Sequence, residues 1–551
     1  MSKYLSPKLE TVTPYTPGEQ PQDQQYIKLN TNESPYLPSP AVVAAVSEHE
    51  VEKLRLYSDP ACTDLLKTAA AHFGLQPDQI MPGNGSDENL FFALRAFCDE
   101  THPLAYADIT YGCYSVWCGL MHIPSHIIPL KEDFTLDPAD YYGLNETIVI
   151  ANPNAPTGLA LPRSAIEGIL KANPDNVVIV DEAYVDFGGE SCVPLIDRYD
   201  NLLVVQTFSK SRQLAGARLG LAMGSASLIA DLNRVKFSLN PYNINRLTLK
   251  AGQAALEDTV YFEKTRAAIV DTRAWTKQQL EARGFAVLDS RSNFLFASTQ
   301  KKNGGELYKK LKKNGVLVRH FDAPRIENWL RITIGTPEQM QIFLNTLDKI
   351  MEEGPMREVT LERNTNETQI ELTLNLDGAG RYEVDTGCGF LNHMLELFAR
   401  HGRFDLVLTC HGDVEVDYHH TAEDIGIALG QAFARALGEM RGIQRYGSFY
   451  LPMDEALVLC AVDLSGRCTL NWDVHCKTEK VGDFDVECAS EFWLGFARNV
   501  PATLHFVQFA GENTHHILEA CFKGAGHALA AAVAIDAAHR DEIPSTKGLL
   551  V

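Results

Sequence analysis

The chain has 551 residues, 45% of them hydrophobic and 22% charged, which excludes a mainly disordered or fibrous protein. That length supplies core material for roughly three to four domains. Acidic residues number 71 against 49 basic ones, and the net charge of −22 disfavours general nucleic-acid or anionic-membrane binding. No apolar run reaches the roughly 20 residues of a membrane span. The start, MSKYLSPKLE, lacks a signal-peptide core, and the 12 cysteines are scattered with no CxxC pair. The expectation is a cytoplasmic protein with reduced thiols.

Over the first ~350 residues, short apolar runs alternate with longer helical stretches. Gly83-Asn84-Gly85-Ser86-Asp87-Glu88 precedes a helical run over Asn89–Phe97. Glycines there would let the backbone approach an anion, and a helix N-terminus offers free N–H groups. Strands are expected at Thr147–Ala151 (TIVIA), Asn176–Val180 (NVVIV) and Leu202–Val205 (LLVV). Such continuous apolar strands between helices imply a mostly parallel sheet covered on both faces. After TIVIA comes the turn-rich Asn152–Gly158, after NVVIV come Asp181 and Tyr184, and after LLVV come Thr207-Phe208-Ser209-Lys210 and Arg218. Functional groups collect beyond the carboxyl ends of such strands. An aspartate there can pair with a pyridinium nitrogen, and a lysine can form an imine.

These stretches, with LNTNESPY (29–36), YSDP (57–60), DEAYVDF (181–187), TFSKSRQLAGARLG (207–220) and LRITIG (330–335), resemble the fold-type I aminotransferases that use pyridoxal phosphate. Among them, the histidinol-phosphate aminotransferases are most similar. The resemblance implies an α/β fold with a large, mostly parallel-sheet domain (about 30–260) and a small α/β domain (about 1–29 and 261–353). It implies that Lys210 anchors the cofactor and moves the proton, that Asp181 keeps the pyridine nitrogen protonated, and that Asn154 and Tyr184 bind the phenolic oxygen. Tyr111 would stack on the ring. Gly85, Ser86, Asp87, Ser209 and Arg218 would hold the phosphate, with Tyr57 reaching in from a second subunit. Arg331 would pair with the glutamate carboxylate through its planar fork, and Arg319 would assist with a substrate phosphate.

Glu352-Glu353-Gly354-Pro355 interrupts the pattern, and a linker is expected at 354–357. Beyond it, period-two alternation as in Gln369–Leu376 predicts half-buried antiparallel strands. His419-His420-Thr421-Ala422-Glu423 recurs as His515-His516-Ile517-Leu518-Glu519, each copy opening an Ala-rich helix. Two similar α+β halves are therefore expected. In each copy the first histidine and the glutamate share a helix face. Imidazole with carboxylate suits Mn, Fe or Zn, and four histidines with two glutamates suit two ions better than one. His393 is a further candidate ligand. Arg445, Arg467, Lys523 and the tail Pro544-Ser545-Thr546-Lys547-Gly548 gather basic and hydroxyl groups suited to a phosphate.

The matching stretches DTGCGFLNHM (385–394), GDVEVDYHHTAEDIG (412–426), GENTHHILEACFKG (511–524) and PSTKG resemble imidazoleglycerol-phosphate dehydratase over residues 358–551. The resemblance implies two Mn ions, with ligands His393, His419, His420, Glu423, His515, His516 and Glu519, some from neighbouring subunits of a cage-like assembly. Where some members carry another ligand histidine, this chain has Glu491. Arg445, Arg467, Lys523, Ser545 and Lys547 map onto the phosphate pocket, and Glu367 is the candidate for proton transfer. Together the resemblances imply a bifunctional enzyme of histidine biosynthesis. It would dehydrate imidazoleglycerol phosphate to a ketone, then aminate that ketone from glutamate. Two alternatives are another fold-type I enzyme at the N-terminal end, such as an amino-acid-phosphate decarboxylase, and a dinuclear metallohydrolase at the other. The expected partners are these small molecules and further copies of the chain, not nucleic acid or membrane.

Overall fold

The computed structural model describes residues 5, 7–9, 12–352, 357–536, 538–539, 542–547 and 550. The expected linker lies outside the described residues except for Arg357, as does Gly548 of the tail motif. The chain divides into two compact units, Met1–Glu353 and Gly354–Val551.

The first unit is built on a seven-stranded sheet. Its order is Ile80–Gly83, Gly220–Gly224, Leu202–Thr207, Val178–Asp181, Thr147–Ala151, Leu104–Ala107 and Ser125–Ile128. Gly220–Gly224 runs antiparallel to both neighbours, and the remaining pairings are parallel. Alternate side chains of the central strands enter opposite cores. Ile148, Ile150, Val178, Val180, Leu202 and Val204 pack on one face, and Val149, Ile179, Leu203 and Val205 on the other. Burial on both faces explains why these strands read as unbroken apolar runs. One boundary moves: the strand expected at Asn176–Val180 forms at Val178–Asp181. Asp181 aligns with Ala151 and Val205 in the ladder, so it is the last strand residue rather than the first loop residue. A smaller antiparallel sheet orders Arg319–His320, Trp329–Thr333, Phe294–Ser298 and Ala286–Val287.

The second unit repeats one β-β-β-α-β-α pattern. The first half has β1 (Glu358–Asn364), β2 (Thr368–Asn375), β3 (Tyr382–Asp385), α1 (Gly389–Gly402), β4 (Asp405–Gly412) and α2 (His419–Leu437). The second has β5 (Tyr446–Met453), β6 (Ala456–Asp463), β7 (Thr469–Asp473), α3 (Glu487–Asn499), β8 (Thr503–Ala510) and α4 (Thr514–Val533). Both sheets take the same order, β1-β2-β4-β3 and β5-β6-β8-β7. The strand expected at Gln369–Leu376 forms one residue earlier, with its alternating apolar side chains Ile370, Leu372 and Leu374 inward. The halves exchange partners: α1 packs along α4, α3 packs along α2, and a single apolar core runs through both.

Candidate functional sites

In the first unit, strand ends deliver the predicted residues to one region. Asp181 is buried, and its carboxylate accepts a 2.7 Å hydrogen bond from the Tyr114 hydroxyl and a 3.2 Å bond from the Ala183 N–H. Burial pushes this carboxyl up to about 6, while the Tyr114 bond pulls it down. Lys210 Nζ donates to the Thr31 carbonyl at 3.1 Å, and burial with the nearby Arg331 lowers its amine to about 8. Tyr184, beside Lys210, accepts from Asn32 Nδ2 at 2.8 Å. Asn154 is held by Thr110, the Ile109 carbonyl and Thr157.

Gly85 ends the edge-strand loop with φ +87°, and the helix Ser86–Phe97 starts immediately after it. A Cβ at Gly85 would lie 2.5 Å from Arg218 Nη2. Arg218 and the Tyr111 hydroxyl each donate to Asp87 at 3.0 Å. Ser209 is buried and accepts from Thr207. These features fit pyridoxal phosphate: a buried carboxylate suits a ring cation, a buried amine an aldehyde, and a glycine-opened helix start with a nearby guanidinium a phosphate. Tyr57 is 79% exposed and stacks on Tyr242 at 4.5 Å, so it faces outward from its own chain.

Arg319 and Arg331 are register partners on neighbouring strands. Like charges opposite one another are destabilising unless an anion joins them. Arg331 donates to the Asn30 carbonyl, its guanidinium lies near the Phe294 and Phe321 rings, and its buried Nε has no protein partner. A buried guanidinium donor with no protein partner, with a second arginine at the paired position, suits a substrate carboxylate or phosphate. Arg319 itself donates to the Thr16 carbonyl.

In the second unit, His393 on α1 meets His515 and Glu519 on α4, their ligand atoms all within 4.8 Å of one another. Among the described residues this is the group of three that closes to metal-binding distance; His419, Glu423 and Glu491 do not reach it within one chain. Two imidazoles and a carboxylate fit a borderline transition metal. The second histidine of each motif is braced by acids. His420 Nδ1 lies 3.0 Å from Asp413 and 4.0 Å from Glu367, and His516 Nδ1 lies 2.8 Å from Glu455 with its Nε2 3.5 Å from Asp454. Carboxylates behind a histidine fix its tautomer and orient it toward a metal.

Lys523 pairs with Glu519 at 2.5 Å. Arg445 pairs with Asp463 and donates to the Pro544 carbonyl at 3.0 Å, which ties it to the tail bearing Ser545 and Lys547. Arg467 is exposed. Sequence reasoning missed Tyr114, Asn32, Asp413, Asp454 and Glu455. Each acts on a predicted residue through space; Asn32 and Asp413 lie inside the stretches LNTNESPY and GDVEVDYHHTAEDIG, whereas Tyr114, Asp454 and Glu455 lie outside the motifs.

The aminotransferase class I and II family model matches residues 24–347, and the imidazoleglycerol-phosphate dehydratase model matches 386–529. Histidinol-phosphate aminotransferase 1 of Bordetella parapertussis is 50% identical over 353 residues, 64% of this chain and 99% of its own length. The histidinol-phosphate aminotransferase of Marinomonas sp. is 52% identical over 343 residues, 62% of this chain and 97% of its own. The solved Sinorhizobium meliloti histidinol-phosphate aminotransferase, in complex with pyridoxal 5'-phosphate, shares the fold. It superposes with a TM-score of 0.58 at 21% identity, over 64% of this chain and 98% of its own. The chain thus belongs to the class I and II aminotransferases and carries an imidazoleglycerol-phosphate dehydratase domain behind its aminotransferase unit.

Proposed function

We propose that the chain performs two consecutive steps of histidine biosynthesis: Mn-dependent dehydration of imidazoleglycerol phosphate in the second unit, then transamination of the resulting ketone from glutamate in the first. The pairing itself carries the reading. The ketone left by dehydration is the amino acceptor that a histidinol-phosphate aminotransferase requires, and both units stand on one polypeptide.

In the aminotransferase unit, pyridoxal phosphate supplies an electron-withdrawing ring that stabilises negative charge on the amino-acid carbon. Lys210 Nζ carries the proton to and from that carbon, and an amine lowered to about 8 is neutral in roughly one molecule in ten at pH 7, far more than an ordinary lysine. Asp181 holds a proton on the ring nitrogen. Tyr114 keeps the carboxylate ionised and aimed. Arg331 and Arg319 receive the substrate anions. Tyr57 completes the phosphate site of a second subunit. The exposed Leu37, Val43, Leu54 and Leu56 on the same stretch support such a dimer.

In the dehydratase unit, two Mn ions held by the histidines and glutamates would supply Lewis-acid stabilisation of an imidazole ring that has lost a carbon-bound proton. Glu367, 4.0 Å from His420 Nδ1, would take that proton. The neighbouring hydroxyl leaves as water, and the enol that remains becomes the ketone. Lys523, Arg467, Arg445 and the Ser545–Lys547 tail serve the substrate phosphate. The exposed Tyr450, Phe449 and Phe509 support assembly of this unit into a larger particle whose interfaces complete the metal sites.

The test is a coupled assay. Given imidazoleglycerol phosphate, Mn, pyridoxal phosphate and glutamate, the intact chain forms histidinol phosphate. Lys210→Ala stops at the ketone, whereas His420→Ala blocks dehydration yet still aminates supplied ketone. Ketone accumulating in the wild type without amination would refute the reading.

A further inference from the structure

Three consecutive residues of the bend after Leu29 each address a different group of the aminotransferase site. The Asn30 carbonyl accepts from Arg331 Nη2 at 2.8 Å, the Thr31 carbonyl accepts from Lys210 Nζ at 3.1 Å, and Asn32 Nδ2 donates to the Tyr184 hydroxyl at 2.8 Å. The first two are main-chain contacts that any residue could supply. The third needs the side chain of Asn32, which is held from every direction. Asn32 is buried, and its backbone has φ +57°, a left-handed conformation that asparagine tolerates better than most residues. Its N–H donates to Thr333 Oγ1 at 3.0 Å, the Thr333 hydroxyl donates to its Oδ1 at 2.9 Å, and its carbonyl accepts from Asn293 Nδ2 at 2.9 Å. Because Thr333 takes Oδ1, the amide turns its N–H side toward Tyr184.

That direction matters for the phenol. A hydroxyl that accepts from an amide becomes a stronger donor, because hydrogen bonds in a chain polarise one another. Burial raises the Tyr184 phenol, while Arg331 and the Asn32 amide pull it down. The Tyr184 ring is fixed edge-on against Phe294 at 5.1 Å, and among the described residues its O–H has no protein acceptor. We propose that Asn32 is a positioning residue of the aminotransferase: by donating to the Tyr184 oxygen, it commits the Tyr184 proton to the phenolic oxygen of the bound cofactor. This rests on the pyridoxal phosphate reading above, with Tyr184 facing that oxygen. Thr333, which anchors Asn32, lies two residues beyond Arg331 on the same strand, so their side chains share a face. The strand that sets the substrate arginine therefore also sets the phenol.

The experiment titrates the absorbance of the bound cofactor against pH in the full-length holoenzyme. It compares Asn32→Asp and Asn32→Ala, each with Tyr184 intact and in a Tyr184→Phe background. Losing a donor to the phenolic oxygen disfavours its ionised form, so Tyr184→Phe alone should raise the midpoint by about one pH unit or more. Asn32→Asp keeps the shape, the left-handed backbone and the oxygen that Thr333 holds, but offers Tyr184 an acceptor. The phenol proton then turns away from the cofactor, and the midpoint should rise by a similar amount. Asn32→Ala, which brings no charge, should move it the same way by less. On top of Tyr184→Phe, neither Asn32 change should move it further. Midpoints unchanged in both Asn32 variants, or shifts of equal size with and without the Tyr184 hydroxyl, would overturn the role of Asn32 and leave the cofactor reading standing. A Tyr184→Phe midpoint equal to that of the wild type would overturn the placement of Tyr184 and the role of Asn32 together.

Discussion

Until a cation reaches it, Asp181 is a liability to its own fold. Its carboxyl sits near 6 in the protein against 3.8 when free, because burial disfavours the charge. A raised carboxyl pKa means stability present at low pH and lost as pH rises from 3.8 to about 6, a cost of about 3 kcal/mol at neutral pH. Asp181→Asn should therefore raise the melting temperature of the cofactor-free aminotransferase unit at pH 7 and flatten its dependence on pH, while abolishing transamination. Thermal melts across pH 4 to 8 check both. Tyr114→Phe removes the hydroxyl that lowers Asp181. It should cut kcat at least tenfold with little change in KM, and shift the pH titration of the bound cofactor's absorbance; a merely structural tyrosine would leave that titration unmoved. Lys210 attacks an aldehyde only as the neutral amine, so the rate of cofactor capture by the stripped protein should climb with pH and level off above about 8. Stopped-flow absorbance reads that profile. Asp181 and Lys210 were legible in the sequence because each follows an apolar strand within a few residues. Tyr114 was not, because it lies 67 residues before the carboxylate it serves and reaches it only through the packed sheet.

At the scale of elements, the twin histidine helices announced themselves, and their lengths, His419–Leu437 and Thr514–Val533, follow from Ala-rich stretches. The two histidine motifs made two similar α+β halves legible, but the match of α1 with α3 was not. Cores keep volume and pattern rather than identity, so Met394 answers to Phe492 and Leu395 to Trp493 without any shared motif. The glycines at the helix crossings are the local requirement that sequence alone undersold. Gly430→Ala places a methyl against the Phe496 carbonyl. It should destabilise the second unit by about 1 to 3 kcal/mol, seen as a lower midpoint in chemical unfolding, with transamination untouched.

The whole molecule has separate apolar cores in its two units, with the core of the second confined to residues beyond 358. Each should melt as its own cooperative transition, and each ligand should raise only the transition of the unit that binds it. Differential scanning calorimetry with pyridoxal phosphate alone, with Mn alone and with both would show the two peaks moving independently. Among the described residues no helix is long and apolar enough to cross a membrane. The crossing of α1 onto α4 and of α3 onto α2 also bears on descent. A lone half would expose the helix face that its twin now covers, so a progenitor the length of one half could have stood only as a self-paired dimer. Joining the copies end to end lets the halves diverge in detail while the crossing is kept, as Leu395 answering to Trp493 shows.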